Sequence, residues 1–272
     1  MINSSKTFSC QVFRNGTTDT RTDSVVVEEP LEIRISYHGS GGKTVKNIAV
    51  TMRTPGNDPE LAEGFLFTEG IISSRDAISK IQSEFDPNII SVDLHPGFEP
   101  DLKNTDRNFY TTSSCGVCGK SSIDSVRLKC TPVEPDFRID ASILIGLPDK
   151  VRRSQEIFEA TGGLHAAALA DGNGEIKLLR EDVGRHNATD KVIGAALDQK
   201  LIPLSRHILM LSGRISFELV QKAAMAGIPV VAGVGAPSSL ALELAQELNM
   251  TIAGFIRESR FNHYCGSHIT YK

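Results

Sequence analysis

The sequence predicts an α/β protein: a mostly parallel sheet covered by helices, preceded by a smaller β-rich N-terminal subdomain. Stretches rich in β-branched residues recur over the first 110 residues, whereas strand-like and helix-like segments alternate after residue 150. Such alternation requires right-handed crossovers, which set parallel strands side by side and cover the sheet with helices. We divide the 272 residues into a subdomain at 1–120 and a core at 121–272.

The N-terminal subdomain is predicted to contain strands and one helix. Strands are expected where β-branched and apolar residues alternate or run together, at residues 24–28, 31–37 and 47–53. Asp58 suits a helix N-cap, Pro59 the first helical position and Gly70 a C-terminal stop. Residues 83–104 are polar and rich in Asp and Pro, so we expect an exposed stretch there.

The second half of the chain predicts a regular succession of elements. Helices are expected at residues 151–161, 187–197, 216–226 and 238–248. Strands are expected at residues 164–170, 175–181, 207–211, 228–232 and 250–256. The turn Asp171-Gly172-Asn173-Gly174 indicates a hairpin, and Asn187 can cap the second helix with Asp190 in the capping-box position. Ligands bind such sheets at the carboxyl ends of the strands, so we expect the functional site there.

Composition narrows the classes of protein to consider. A net charge of −4 gives no electrostatic reason to expect nucleic acid or an anionic membrane as a partner. Residues 1–16 show no signal-peptide pattern, and the sequence has no apolar run long enough for a membrane span. The five cysteines are an odd number and thinly spread, which favours a reducing compartment, hence a cytoplasmic location.

Cys115 and Cys118 form the most informative motif, Cys115-Gly116-Val117-Cys118-Gly119-Lys120. Two thiols at this spacing can react with sulfur, share a metal ion or simply be buried. The flanking glycines allow the loop to move, and Lys120 would favour the reactive thiolate. A structural zinc would need two further ligands at close spacing, which the sequence lacks. We expect reactive thiols.

Two glycine-containing turns follow predicted strands and precede helices. They are Ser212-Gly213-Arg214 and residues 233–239, which include Ser238. Free backbone amides, an N-cap hydroxyl and an arginine can cradle a phosphate. Residues 181–187, which include His186, form either a solvated loop with a cap or the floor of a ligand pocket.

Two further places have both a structural and a functional interpretation. His165 is either a packed core residue or a catalytic one. The C-terminal tail mixes aromatic residues with two arginines, which can stack on a base and neutralise phosphates, or form a plain final strand. Its central residues are Phe255, Ile256, Arg257, Glu258, Ser259 and Arg260.

The element order is similar to the core of the cytidine deaminases. In that fold zinc is held at the start of two helices by H-x-E and P-C-x-x-C motifs. Here those places contain Arg185-His186-Asn187 and Ser212-Gly213-Arg214, with neither the glutamate nor the cysteines. We therefore expect no zinc, and a phosphate group suits these residues better.

Several blocks closely resemble the FdhD family between residues 33 and 264: CGVCGK, TGGLHAAAL, EDVGRHNATDKVIG, SGR and GFIRESRFNHY. The resemblance implies a dimeric sulfurtransferase, a sulfur carrier required for formate dehydrogenase activity. It would accept persulfide sulfur from an L-cysteine desulfurase and pass it to the molybdenum cofactor bis(molybdopterin guanine dinucleotide). Gly235 stands where the family commonly has serine.

The resemblance also assigns residues to roles. Cys115 would carry the persulfide with help from Cys118. The resemblance places the cofactor, or a GDP-like nucleotide in its place, on residues 255–260. The turns and the polar loop described above add Gly213, Arg214, Ser238 and His186 to this site. Two other functions stay open: a chaperone that binds the cofactor without transferring sulfur, and a zinc-dependent enzyme of the deaminase type.

Overall fold

The computed structural model of the chain describes residues 4–39, 41–102, 130, 132–133 and 136–271. Within these residues, fourteen strands form four sheets, accompanied by six α-helices and one 3₁₀ helix. This content confirms the α/β class. Cys115 and Cys118 lie outside the described residues, as does most of the segment that joins the two predicted subdomains.

The N-terminal part consists of a ribbon, a small sheet and a helix. Strands β1 (Ser5–Arg14) and β2 (Thr17–Val26) pair antiparallel as the ribbon. The small sheet contains β3 (Glu29–Gly39), β4 (Gly42–Arg53), β5 (Ile78–Ser83) and β6 (Ile89–Leu94), in the order β4-β3-β6-β5. Helix α1 covers Asp58–Thr68, and the 3₁₀ turn covers Arg75–Ala77.

Two predictions for this part are wrong. Residues 83–104 are not an exposed stretch throughout, because β6 crosses them and buries Ile90, Val92 and Leu94 in the core. Asp58 is the first residue of α1 rather than its N-cap, a position taken by Asn57 with a left-handed φ of 58°. Buried Arg53 explains why Asp58 does not cap the helix, since its guanidinium binds both carboxylate oxygens of Asp58 at 3.0 Å.

The C-terminal part alternates strands and helices around a large sheet. Its helices are α2 (Ala141–Arg153), α3 (Glu156–Thr161), α4 (Arg185–Asp198), α5 (Phe217–Met225) and α6 (Ser239–Glu247). Its strands are β7 (Ile139–Asp140), β8 (His165–Asp171), β9 (Ile176–Asp182), β10 (His207–Leu211), β11 (Val230–Gly233), β12 (Thr251–Arg257), β13 (Arg260–Cys265) and β14 (Ile269–Thr270).

The large sheet has the order β13-β12-β11-β10-β8-β9 and is mixed rather than mostly parallel. Only β10, β11 and β12 pair in parallel, through the crossovers of α5 and α6. The hairpin of β8 and β9 returns antiparallel beside β10, and β13 turns back along β12. The likeness of this core to the cytidine deaminases stays a prediction.

Two helix predictions need correction. The helix expected at 151–161 is divided, because α2 ends at Arg153 and α3 starts at Glu156. Asn187 does not cap α4, which begins at Arg185 after Gly184. The Asn187 amide instead donates to the Met52 carbonyl at 2.8 Å and to Asp182 Oδ1 at 3.0 Å, so it ties the helix to β4.

Apolar side chains cover both faces of the large sheet. On one face Ala166, Ala168 and Met210 pack with Leu144 and Leu147 of α2. On the other face, one continuous cluster joins the large sheet to α1, α4, α5, α6 and the small sheet. The described parts of both predicted subdomains therefore share a hydrophobic core. None of the helices in the described ranges is long and apolar enough to cross a membrane.

Candidate functional site

One edge of the large sheet gathers most of the predicted site residues. Because β10, β11 and β12 are parallel, their carboxyl ends lie at the same edge. β8 starts there and β9 ends there, since His165 pairs with Asp182. The residues at this edge, which we call the site edge, are His165, His186, Gly213, Arg214, Ser238, Phe255, Ile256, Arg257, Glu258, Ser259 and Arg260.

Backbone hydrogen bonds join the two glycine-containing turns of the site edge to each other and to β12. Gly235 N donates to the Gly213 carbonyl at 3.0 Å, and Phe255 N donates to the Gly235 carbonyl at 3.1 Å. A Cβ atom at position 235 would lie only 2.8 Å from the Gly213 carbonyl. The turns thus approach so closely that any side chain at position 235 would require a backbone shift.

Three helices begin at the site edge, and their N-termini supply partial positive charge. Gly184 precedes α4, Ser216 precedes α5 and Ser238 precedes α6. The Ser238 hydroxyl caps its helix by accepting from Ala241 N at 3.3 Å. The Ser216 hydroxyl makes no such cap. Helix N-termini that converge in this way favour an anionic ligand.

Basic side chains add full charge to the site edge. Arg214, Arg257 and Arg260 are exposed, as are Glu258 and Ser259. The Nε of Arg185 is buried and lacks a hydrogen-bond partner among the described residues. Ile256, by contrast, has its side chain in the apolar cluster beneath the sheet. The edge therefore offers guanidinium donors at its surface and one buried donor that is still unsatisfied.

The backbone of the tail is strained where it meets the turns. Phe255 has a φ of 53° and Glu258 a φ of 33°, values that side-chain-bearing residues seldom adopt. The pairing of β12 with β13 is irregular between Gly254 and Arg257, which accommodates this conformation. Strain of this kind concentrates at ligand sites because the surrounding structure must hold it in place.

Some side chains of residues 181–187 are buried and others are partly exposed. Asp182 is fully buried, pairs with Lys191 Nζ at 2.7 Å and accepts from Gly184 N at 2.8 Å. Lys191 also donates to the Thr54 carbonyl at 2.9 Å. These buried residues fix the loop to β4, and Arg185 and His186 are the partly exposed ones. The segment is thus both a structural anchor and part of the site edge.

His165 is half-buried at the start of β8. A Cβ at Gly213 would lie 3.3 Å from its Nδ1, so the ring packs directly on the glycine turn. Burial lowers the pKa of His165, and the positive charge of Arg185 lowers it further. The imidazole is therefore neutral at physiological pH.

His186 makes contacts that the sequence did not predict. Its Nε2 lies 3.3 Å from Ser216 Oγ and 3.7 Å from Glu218 Oε2. The contact with His186 lowers the pKa of Glu218 to about 2, although burial opposes the shift. The only sequence signal was an acidic residue in the first turn of a helix, which is too common to indicate a site.

Metal ligands and other thiols are the remaining candidates for chemistry. Within the described ranges, no group of three or more His, Cys, Asp or Glu side chains could hold a metal ion. Burial raises the pKa of Cys130 to about 11 and also raises that of Cys265, so neither forms a thiolate readily.

Comparison with known proteins shows the family from the sequence, and a solved structure shares the fold. Residues 26–270 match the model of the FdhD/NarQ family. The chain is 48% identical to the sulfur carrier protein FdhD of Streptomyces avermitilis, over 94% of this chain and 92% of that protein. It is 50% identical to the protein of the same name from Mycolicibacterium paratuberculosis, over 90% of each. A crystal structure from Desulfotalea psychrophila, described as a candidate formate dehydrogenase accessory protein, shares the fold with a TM-score of 0.78 at 24% identity, over 98% of this chain and 100% of that one.

Proposed function

The chain belongs to the FdhD/NarQ family, and from that premise we propose that it is a sulfur carrier that activates formate dehydrogenase. It accepts sulfur from an L-cysteine desulfurase as a persulfide on Cys115 and passes it to bis(molybdopterin guanine dinucleotide), its substrate. In this proposal the protein acts as a homodimer in the cytoplasm, with a core like that of the deaminases.

One observation carries the assignment of the substrate site. Three helix N-termini and the turns after β10 and β11 meet at one sheet edge, with exposed Arg214, Arg257 and Arg260 beside them. The Nε of Arg185, which is buried and has no hydrogen-bond partner in the described part of the chain, is a donor of the kind that a phosphate oxygen satisfies. These residues fit the diphosphate of a guanine dinucleotide, which carries negative charge and many acceptor oxygens.

Sulfur reaches Cys115 by exchange between a thiolate and a persulfide. The Cys115 thiolate attacks the outer sulfur of the desulfurase persulfide, and the desulfurase cysteine leaves as a thiolate. Cys118 assists, and Lys120 favours the thiolate form of the pair. The support for this step is the residue types and the spacing of the motif. The loop itself lies outside the described residues.

Activation of the dehydrogenase separates this function from that of a cofactor chaperone. Formate dehydrogenase would be produced in cells that lack the endogenous carrier and contain either the wild-type chain or Cys115→Ala. We expect the variant to leave the enzyme inactive while Cys10→Ala, a change in the N-terminal ribbon, supports normal activity. Full activation by Cys115→Ala would contradict sulfur transfer and favour a chaperone.

GDP serves as a probe of the proposed substrate site. Charge-assisted contacts to phosphate are worth roughly 1.5–3 kcal/mol each, so Arg214→Ala should weaken GDP binding by about one to two decades. Arg153→Ala, at the exposed end of α2, is the matched control and should bind like the wild type. Calorimetry measures all three. Equal affinity in Arg214→Ala would remove that residue from the site, and no binding by the wild type would remove the nucleotide pocket.

A further inference from the structure

The ring of His186 is held from the side of α5. Its Nε2 faces Ser216 Oγ at 3.3 Å and Glu218 Oε2 at 3.7 Å. The side chains of His186 and Glu218 are only 14% and 12% exposed, so solvent competes little for these contacts. Nδ1 is the remaining ring nitrogen, and it has no hydrogen-bond partner among the described residues.

The groups that hold the ring are themselves fixed by the start of α5. Ser216 occupies the N-cap position, yet its hydroxyl meets His186 instead of capping the helix. Glu218 lies in the first turn, where the helix dipole stabilises a negative charge. The contact with His186 lowers the pKa of Glu218 to about 2, so the carboxylate is ionised at physiological pH.

An ionised carboxylate beside one ring nitrogen decides where the proton of a histidine resides. An acceptor opposite Nε2 keeps the hydrogen on Nε2, and Nδ1 is then left for another partner. His165 on β8 interacts electrostatically with His186, and also with Arg185 on α4 and with buried Asp182. Arg185 has no lone pair that could accept the hydrogen on Nε2.

We propose that Glu218 is a positioning residue of the ligand site and that it acts through His186. By holding Nε2 toward α5, it prevents rotation of the ring and leaves Nδ1 as the nitrogen that the bound nucleotide contacts. This inference rests on the proposed function, because it assumes that a guanine nucleotide binds the site edge. His186 is the contact residue, and Glu218 touches the ligand only through it.

A double-mutant cycle measured by GDP calorimetry tests the inference. Glu218→Ala should weaken binding about tenfold, because the ring of His186 loses the carboxylate that holds it. Glu218→Gln keeps an oxygen that accepts from Nε2, so its affinity should stay within about threefold of the wild type. In a His186→Ala background, Glu218→Ala should cause no further loss, since the residue through which it acts is gone.

Nitrogen NMR of the His186 ring adds a measurement that a purely structural role would not change. We expect the hydrogen on Nε2 in the wild type and in Glu218→Gln, and a mixture of tautomers in Glu218→Ala. Unchanged GDP affinity in Glu218→Ala, additive effects in the cycle or an unchanged tautomer would each overturn the positioning role alone. Failure of the wild type to bind GDP would overturn the nucleotide site itself.

Discussion

At the scale of single residues, the burial of the acidic side chain of Glu63 makes the stability of the fold depend on pH. It is 2% exposed on α1, and Arg75 Nε approaches its Oε1 to 3.1 Å without the alignment of a hydrogen bond. Burial raises the pKa of Glu63 from 4.5 to about 7, and Arg75 offsets part of that shift. Between these two pH values the folded chain keeps a proton that the unfolded chain has lost, so stability falls as pH rises.

Glu63→Gln should remove this pH dependence. The amide keeps the shape of the neutral acid and cannot ionise, so the variant should gain about 2–3 kcal/mol relative to the wild type between pH 4 and pH 8. Urea unfolding followed by circular dichroism at several pH values measures this difference in the free energy of unfolding. Glu99→Gln, at an exposed position, should follow the wild type, and a constant difference for Glu63→Gln would contradict the account.

At the scale of secondary-structure elements, the contact between α1 and α4 positions the part of the site edge that α4 contributes. The helices touch at Gly64 and Gly194, where an added Cβ would lie 1.9 Å from the Asp190 and Glu60 carbonyl oxygens. Only glycine permits this approach, because the obstructing atoms are backbone and cannot rotate away. Since α4 begins with Arg185 and His186, this contact also decides where these side chains stand.

Gly194→Ala should therefore separate the two helices. We expect a loss of about 3 kcal/mol or more, together with weaker GDP binding, because the backbone must move to admit the methyl group. Gly146→Ala in α2 is the matched control: nothing lies within 4 Å of its added Cβ. That change should stabilise the protein by up to about 1 kcal/mol, as alanine is the better helix former. Similar unfolding midpoints for the two variants would refute the proposed contact.

At the scale of the whole molecule, the sequence predicted best where local pattern and burial agree. Apolar runs such as residues 207–211 are bounded by turn residues and become the central strands. The ribbon of β1 and β2 was predicted only at residues 24–28, because most of the rest of its sequence is polar, and Phe8 and Phe13 remain exposed in it. The mixed order of the large sheet was missed because it depends on how the hairpin docks, which no local pattern contains.

The same difference between local pattern and tertiary packing separates the site residues that the sequence could predict from those that it could not. Gly213, Arg214 and Ser238 could be predicted, since turns after neighbouring strands must meet at one sheet edge. Glu218 could not be predicted, because its contact with His186 depends on how α4 and α5 pack. Asn187 has the residue type of a helix cap, but tertiary hydrogen bonds to β4 determine its actual role.

Sulfur loading on Cys115 tests the central claim most directly. The wild-type chain would be incubated with a cysteine desulfurase and cysteine, then examined by intact-mass and peptide mass spectrometry. We predict one or more added sulfur atoms on the peptide that contains Cys115, loss of this addition in Cys115→Ala, and normal loading in Cys10→Ala. An unmodified Cys115 in the wild type, or equal loading of Cys115→Ala at another cysteine, would contradict the assignment of this chain as a sulfur carrier.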